Sequence, residues 1–359
     1  MGEVLALSQN RALFFAGLAF LVAAVLSRTL APLASHIGLV DRPGGRKQHD
    51  GDIPIIGGIA MFAGYAVATL ALGAGHAAVV PLVVALAVLV FAGVADDLHD
   101  LSPRSKFALQ IVAALLMTSW AGVQVTQLGD LVGFGPVGLH GWSIPFTVVC
   151  VLGTVNAINM IDGLDGSAGG TSLVSALWLA YAAAAQQLVL QGVLLVVLAG
   201  AIAGFLVWNL RMPWRRQAAV FMGDAGSMML GFALCWFTVD LSQGPARTLS
   251  PMACVWVLAV PLVDMARVMF VRLVRRSGIF SADREHLHHF LLARGYSVAA
   301  SAWIMIAASA ACGAFGVLGW MNGVADWILF YAFAGMLGAI LVAAYVRELR
   351  MRRENRIDG

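Results

Sequence analysis

The chain has 359 residues, 60% of them hydrophobic and 11% charged, with a mean hydropathy of +0.86, whereas soluble domains carry about 25% charged residues. That balance excludes a water-soluble globule. Four cysteines and no Gly-X-Y period exclude a secreted disulfide scaffold and a collagen, and the apolar content excludes a disordered chain. The formal net charge is only +3, so the placement of the charges carries more information than their sum.

Apolar runs recur along the chain, each long enough at about 1.5 Å per residue to cross a hydrocarbon core of about 30 Å. They lie at 12–34, 55–73, 77–95, 107–122, 143–159, 168–185, 188–208, 225–242, 251–271, 299–320 and 326–346. This pattern predicts an all-α polytopic integral membrane protein with about 11 transmembrane helices. Very short connections around Gly73–His76 and Gln186–Gln187 read as antiparallel hairpins. Eleven spans sort the loops into a basic set and a set nearly devoid of basic residues. Of the 22 Lys and Arg, only Arg11 and Arg247 fall in the second set. The positive-inside rule then puts the N-terminus outside and the tail Arg347–Gly359 in the cytoplasm.

The first run reads as a retained helix and not a signal peptide, because its leader Met1–Asn10 carries Glu3 and no basic residue. Cys150, Cys235, Cys254 and Cys312 lie within spans without a CxxC pair and read as small packing residues. The organisation is one membrane catalytic domain, 1–346, with active-site loops near 35–54, 96–106, 159–167, 209–227 and 272–298, then a basic tail, 347–359.

The polar clusters gather on the basic face. In chain order they are Asp41-Arg42-Pro43-Gly44-Gly45-Arg46-Lys47-Gln48-His49, Asp96-Asp97-Leu98-His99-Asp100, Asn156 to Gly166, Phe221 to Ser227, and Asp283-Arg284-Glu285-His286-Leu287-His288-His289. One cytoplasmic active site built from five loops is the economical inference. Asp96, Asp97, Asp100, Asp162, Asp165, Asp224 and Asp283 are costly to leave unpaired at a membrane interface. Oxygen-only acidic clusters without cysteine suit a hard cation such as Mg2+, held by one or two carboxylates plus substrate phosphates. Basic neighbours, among them Arg42, Arg46, Lys47, Arg104, Lys106 and Arg284, have a natural partner in those phosphates.

Each cluster also has a purely structural reading. Asp96-Asp97 can cap and end the helix before it, and Asp162-Gly163 and Asp165-Gly166 can be turn chemistry. Gly223-Asp224-Ala225-Gly226-Ser227 has the form of a helix N-terminus, whose N–H groups would be capped or would receive a phosphate. His286 and His289 would share a helix face. No zinc-type spacing accompanies these histidines.

Taken together, Arg46-Lys47-x-His49 with Gly57-Gly58, Asp96-Asp97 with Lys106 and Gln110, Asn156-x-x-Asn159-x-x-Asp162-Gly163-Leu164-Asp165-Gly166, Phe221-Met222-Gly223-Asp224-x-Gly226-Ser227 and His286-x-His288-His289 form an ordered set from Asp41 to Gly295. In that order and spacing the chain resembles the polyprenyl-phosphate N-acetylhexosamine-1-phosphate transferases (glycosyltransferase family 4), in their WecA-like branch and not the muramoyl-pentapeptide branch. The resemblance implies transfer of a sugar-1-phosphate from a UDP-N-acetylhexosamine to undecaprenyl phosphate, giving UMP and an undecaprenyl diphosphate sugar. This step would initiate a cell-surface polysaccharide such as an O-antigen. It further implies a Mg2+ or Mn2+ requirement, a homodimer, a multi-pass protein of the bacterial inner membrane, and an active site on the cytoplasmic face.

Carried over to the matching positions, Asp224 would be a metal ligand, with Asp97 beside it. Asp96 and Asp97 would bind or activate the lipid phosphate, Asp96 being the candidate base. A phosphate monoester with its second pKa near about 6 is already largely dianionic at neutral pH, so both acids can instead position metal and nucleophile. Lys47 would contact the nucleotide diphosphate. Asn156, Asn159, Asp162 and Asp165 would line the nucleotide site, with Asp165 toward uridine and Phe221 stacked on uracil. Asp283, Arg284, His286, His288 and His289 would bind the diphosphate or sugar, and Arg46, His49, Lys106 and Asn209 complete the set. The His-x-His-His form and Ile53-Pro54-Ile55-Ile56-Gly57-Gly58 resemble enzymes that use UDP-N-acetylglucosamine.

A transporter or lipid flippase is the alternative class. Such proteins place ionisable groups near the membrane midplane at broken helices, whereas only Asp240 and Asp264 lie within or near a span here, and neither is central. The basic loops are explained by the membrane and give no sign of nucleic-acid binding.

Overall fold

The computed structural model describes residues 9–42, 51–73, 76–244, 247–275 and 286–357. Its helices are α1 (Gln9–Thr29), α2 (Ala31–Ile37), α3 (Gly57–Ala71), α4 (His76–His99), α5 (Pro103–Leu115), α6 (Ser143–Ile161), α7 (Ser167–Ala185), α8 (Val189–Asn209), α9 (Gly223–Ser242), α10 (Pro251–Val257), α11 (Ala259–Arg275), α12 (Leu287–Ala293), α13 (Val298–Met321) and α14 (Asp326–Ile357). A π-helical turn, Leu116–Trp120, prolongs α5. The only two-stranded sheet among the described residues is short and antiparallel, β1 (Val40–Asp41) with β2 (Ile53–Pro54).

Local sequence explains several starts. Ser102, Ser250 and Ser297 each cap a helix by accepting from the backbone N–H three residues on, and Pro103 and Pro251 follow two of them at the first helical position. α9 begins differently. Its N-terminus has no side-chain cap from its own segment and is satisfied from another helix.

Helices occupy every predicted apolar run, and eight among the described residues are long and apolar enough to cross a membrane. The count becomes nine if α10 and α11, bent by 80° at their junction, form one span. Two runs fall short for physical reasons. α3 has only 15 residues, and α5 has 13 with Arg104, Lys106 and Gln110 in its first turns. The run 12–34 also ends early, at Thr29, where the chain restarts as α2. The run 251–271, expected as one span, is broken at Leu258. The tail beyond Arg347 prolongs α14 to Ile357.

α9 is the axis of the bundle. It is buried along almost its whole length, whereas α14 is open along nearly all of its own. It packs against α3, α4, α6, α7 and α10. Met228, Met229, Phe232, Cys235 and Trp236 form much of its contribution to the core.

The approach of α4 to the start of α9 requires glycine. A Cβ on Gly93 would lie 2.2 Å from both the Cα and N of Ala225, which are backbone atoms that cannot swing aside. Gly335 on α14 has nothing within 4 Å of its own missing Cβ. An alanine is favoured over glycine in an open helix by about 1 kcal/mol, while overpacking costs about 1–3 kcal/mol. Thermal melts of the purified protein in one detergent should therefore show Gly93→Ala lowering the midpoint and Gly335→Ala leaving it unchanged or raised. Equal shifts would mean that the α4–α9 contact is looser than described.

Candidate active site

The site is built where α4, α5, α6 and α9 end on one side of the bundle. Asp97, near the end of α4, accepts from the backbone N–H of Asp224 through Oδ1 at 3.0 Å and from that of Ala225 through Oδ2 at 3.5 Å. It caps α9 across the helix pair, in the field of that helix's positive end. These two N–H groups, which from sequence alone would have suited a phosphate, already have their acceptor.

Lys106 on α5 bridges the other two acids. Its Nζ pairs with Asp96 and lies 3.0 Å from Asp224 Oδ2. Asp96 also accepts from the N–H of Leu101 at 2.8 Å, so its carboxylate is fixed from two directions. Asn159 on α6 donates to Asp224 Oδ1 at 2.8 Å and to Ser227 Oγ at 2.9 Å. A cation and an amide thus hold different oxygens of Asp224, and its carboxyl also meets that of Asp96. Asn156, one turn earlier, donates to Gln110 Oε1 at 3.0 Å, tying α6 to α5. Burial would lower the Lys106 ammonium pKa, but Asp96 and Asp224 outweigh it and hold the group above the ordinary lysine value.

The turn after α6 supplies Asp162. Burial first, then the neighbouring charges of Asp224, Asp97 and Asp165, push its carboxyl up to about 8. Among the described residues, Lys106 alone bridges acids that outnumber it.

Asp165 has a different role from Asp162. Its Oδ2 lies 2.6 Å from Arg211 Nε and accepts from the N–H of Ala218 at 3.0 Å. This pins the 162–167 turn to the 211–218 connection. Asn209 does the same from the end of α8, accepting from Gly166 N–H at 2.8 Å and donating to the Val220 carbonyl at 2.9 Å. Phe221 is placed through its backbone, donating to the Pro54 carbonyl and accepting from Gly57 N–H, each at 2.9 Å. These contacts bring the Gly57-Gly58 motif against the start of α9.

The histidines close the site from the α11–α12 corner. A Cβ on Gly163 would lie 2.3 Å from His288 Cε1, so the glycine lets the imidazole cover the turn next to Asp162. His288 is buried with Nδ1 lacking a hydrogen-bond partner. Burial, reinforced by His289 and His286, pushes its pKa down to about 3, which keeps it neutral. His286 and His288 stack with ring centroids 5.5 Å apart, and His289 lies 4.2 Å from His288.

What holds this corner is Asp264, which sequence reasoning considered only as a transporter-type acid. Buried on α11, it accepts from Leu287 N–H at 2.8 Å, meets His286 Nδ1 at 3.2 Å and pairs with Arg267 at 3.1 Å. No motif spacing links position 264 to 286. The available signal was the acid itself inside an apolar run, which demands a partner. Arg46, Lys47, His49, Asp283 and Arg284 lie outside the described residues.

The donor set suits a hard divalent cation. Among the described residues, no three carboxylate, imidazole or thiolate groups converge into a ready-made cage. What the site offers is Asp224, with Asp97 beside it and an excess of acid around them. Mg2+ is commonly held by one or two carboxylates and completes its shell with water and substrate phosphates.

The model of glycosyl transferase family 4 matches residues 79–242, a stretch containing Asp96, Asp97, Lys106, Asn156, Asn159, Asp162, Asp165 and Asp224. The undecaprenyl-phosphate alpha-N-acetylglucosaminyl 1-phosphate transferase of Escherichia coli O157:H7 is 32% identical over 342 residues, covering 90% of this chain and 91% of its own. The protein of the same name from Escherichia coli strain K12 is 33% identical over 308 residues, covering 84% and 82%. That of Haemophilus influenzae is 32% identical over 321 residues, covering 88% of each. Similarity of this extent, running through the residues that build the site, makes the chain a member of glycosyl transferase family 4.

Proposed function

We propose that the protein transfers N-acetylhexosamine-1-phosphate, from UDP-N-acetylglucosamine in the first instance, to undecaprenyl phosphate, giving UMP and the undecaprenyl diphosphate sugar. The observation that carries this reading is the Asp96–Lys106–Asp224 bridge beside the α9 N-terminus, in a chain whose relatives are named for that activity. The acids gather at helix ends on one side of the bundle, an arrangement that suits a transferase better than a transporter.

In the reaction an oxygen of the lipid phosphate bonds to the sugar-bearing phosphorus of the UDP-sugar. The bond from that phosphorus to the bridging oxygen breaks, and its electron pair leaves with UMP. Direct attack fits better than a covalent aspartyl intermediate, because Asp96 and Asp97 are both engaged within the protein, by Lys106 and Leu101 N–H and by the α9 amides. The lipid phosphate, largely dianionic at neutral pH, needs little help from a base. Lys106 presents its ammonium to the incoming phosphates and offsets their mutual repulsion. Asp224, with Asp97, would hold Mg2+ or Mn2+, whose charge would stabilise that developing on the diphosphate. Asn159 orients Asp224, while Asp165 and Asn209 position the nucleotide-side turn. His288, with an unpartnered buried Nδ1, offers a polar contact for the diphosphate or sugar. As the family resemblance implies, Lys47 would contact the diphosphate, Asp283 and Arg284 the diphosphate or the sugar, and Phe221 would stack on the base.

The reading extends to eleven crossings, with α3 and α5 as short ones, an outer N-terminus, and this face of the bundle in the cytoplasm of a bacterial inner membrane. The asymmetry of Arg and Lys between loops supports that orientation. A homodimer and a place at the start of cell-surface polysaccharide assembly, such as an O-antigen, complete it.

The direct test is UMP release by the detergent-purified protein from UDP-N-acetylglucosamine with undecaprenyl phosphate and Mg2+. Release should require the lipid, stop with EDTA, and fall by about 100-fold or more in Asp224→Asn, the scale on which charge-stabilising groups act. Absence of release from any UDP-N-acetylhexosamine by a folded, lipid-supplied sample would overturn the reading.

A second test addresses Asp264. Asp264→Asn leaves an uncharged partner for His286 and Arg267 and should lower kcat/KM about 10–100-fold, the range seen for supporting groups around a site. Most of that loss should appear in the KM for the UDP-sugar, with the KM for the lipid unchanged. A loss divided equally between both substrates, or a collapsed thermal midpoint, would mark Asp264 as structural only.

A further inference from the structure

We propose that the connection between α5 and α6 carries a membrane anchor, a hairpin whose tip, Phe134, inserts into the lipid interface at the end of the bundle opposite the catalytic site. Residues 121–142 contain one charged side chain of the Asp, Glu, Lys and Arg set, Asp130. Within them the chain doubles back on itself. Leu128 N–H donates to the Val137 carbonyl at 2.8 Å, Val137 N–H to that of Gly129 at 3.0 Å, and Leu139 N–H to that of Thr126 at 2.8 Å. Asp130 turns its carboxylate inward, Oδ1 accepting from the N–H groups of Gly133 at 2.7 Å and Gly135 at 3.1 Å. The tip is thus shaped from within, and it holds Phe134 out at 95% exposure, with Val132 and Val137 also exposed.

The contacts of the hairpin give its direction. Its root sits on the axis of the bundle, where Gln243, just past the end of α9, accepts through Oε1 from the N–H groups of Thr126 at 3.0 Å and Gln127 at 3.2 Å and donates through Nε2 to the Gln127 carbonyl at 3.1 Å. Farther along, Asp130 N–H donates at 3.2 Å to Oδ2 of Asp326, the first residue of α14, and that oxygen also pairs with Arg247 at 2.8 Å. Gly129, at φ +76°, passes so close that a Cβ there would stand 2.3 Å from the same oxygen. At the tip, a Cβ on Gly133 would lie 3.7 Å from Trp327 Cδ1. The hairpin therefore runs outward from α9 to the first turn of α14, a helix open along nearly all of its length. Phe134, one residue beyond Gly133, stands at the rim.

What covers that rim is lipid. Trp327, Ile328 and Tyr331 are exposed on the first turns of α14, so the tip continues an apolar surface that already faces the bilayer. Trp120, closing the π-helical turn after α5, and Trp142, just before α6, are exposed at the same end. Aromatic side chains gathered at the ends of spanning helices mark the headgroup level of a membrane. The tip offers no cation to an anionic headgroup, and the carboxylate of Asp130 is turned to its own backbone, so insertion rests on removing apolar surface from water. Interfacial anchors of this kind set the tilt and depth of the helices they hold. Seated in the interface, the hairpin fixes the depth of α9, whose other end carries Asp224.

Photo-crosslinking of the full chain in phosphatidylcholine nanodiscs tests this directly. Phe134→p-benzoylphenylalanine keeps an aromatic side chain at the tip, and a thermal midpoint equal to that of the unchanged protein confirms that the variant folds. On illumination, mass spectrometry should find phospholipid attached through its acyl chains. The yield should be several-fold higher than from Gln186→p-benzoylphenylalanine, which places the same probe on the exposed polar connection between α7 and α8 at the same end of the bundle. A lipid yield at position 134 no higher than at position 186 would overturn the proposal and leave the tip in water. Crosslinks from position 134 to a second copy of the chain, in place of lipid, would overturn it in favour of a dimer contact. Crosslinks confined to the same chain would overturn it in favour of a tip folded back onto the bundle.

Discussion

The site depends on one carboxylate doing two jobs at once. Asp97 ends its own helix and caps the N-terminus of α9, so α4 and α9 are fixed in register by a charge–dipole contact at the point where Gly93 lets their backbones meet. That register brings Asp96 and Asp224 into contact with each other and with Lys106. An ammonium from a third helix then completes what two helices began. Loss of any member leaves a buried charge without its partner, which is the costly way to break such a network.

The same centre has an imbalance suited to its chemistry. Among the described residues one lysine serves several acids, and Asp162 is pushed toward protonation by burial and its neighbours. A site already neutral would gain little from a divalent cation or from polyanionic substrates arriving with one. A site with excess acid and a positioned lysine binds the cation through the acid and the phosphates through both. The neutral His288 over Gly163 closes this centre without adding charge, and Asp264 sets its position from the far side of the α11–α12 corner.

Much of this was legible in the sequence, for identifiable reasons. Ionisable residues are so expensive in an apolar chain that their clustering at 96–106, 156–166, 221–227 and 286–289 pointed to one site, and the structure joins these four groups. Lys106, a secondary candidate from its motif, emerges as the hub, because spacing cannot reveal a bridge between positions 96 and 224. Asp165, expected toward uridine, and Asn209, named without a role, hold backbone and Arg211, and turn residues of this type look the same in sequence whether or not they also face a ligand. The amides of Asp224 and Ala225 looked free for a phosphate, since their acceptor comes from a helix more than a hundred residues away. The break at Leu258 was hidden because apolar content continues across it while the axis turns by 80°. Asp264 escaped for a related reason: its partner, His286, lies beyond a polar connection that carries no periodicity.

The central claim is that Asp224 and its acidic neighbours are arranged for a divalent cation that substrate phosphates complete. Electron paramagnetic resonance of Mn2+ titrated into the purified full-length protein measures this most directly. The account predicts weak binding by the protein alone, at least tenfold tighter binding when UDP-N-acetylglucosamine is present, and loss of both in Asp224→Asn. Tight binding indifferent to the nucleotide and to Asp224, or no binding with the nucleotide present, would contradict it.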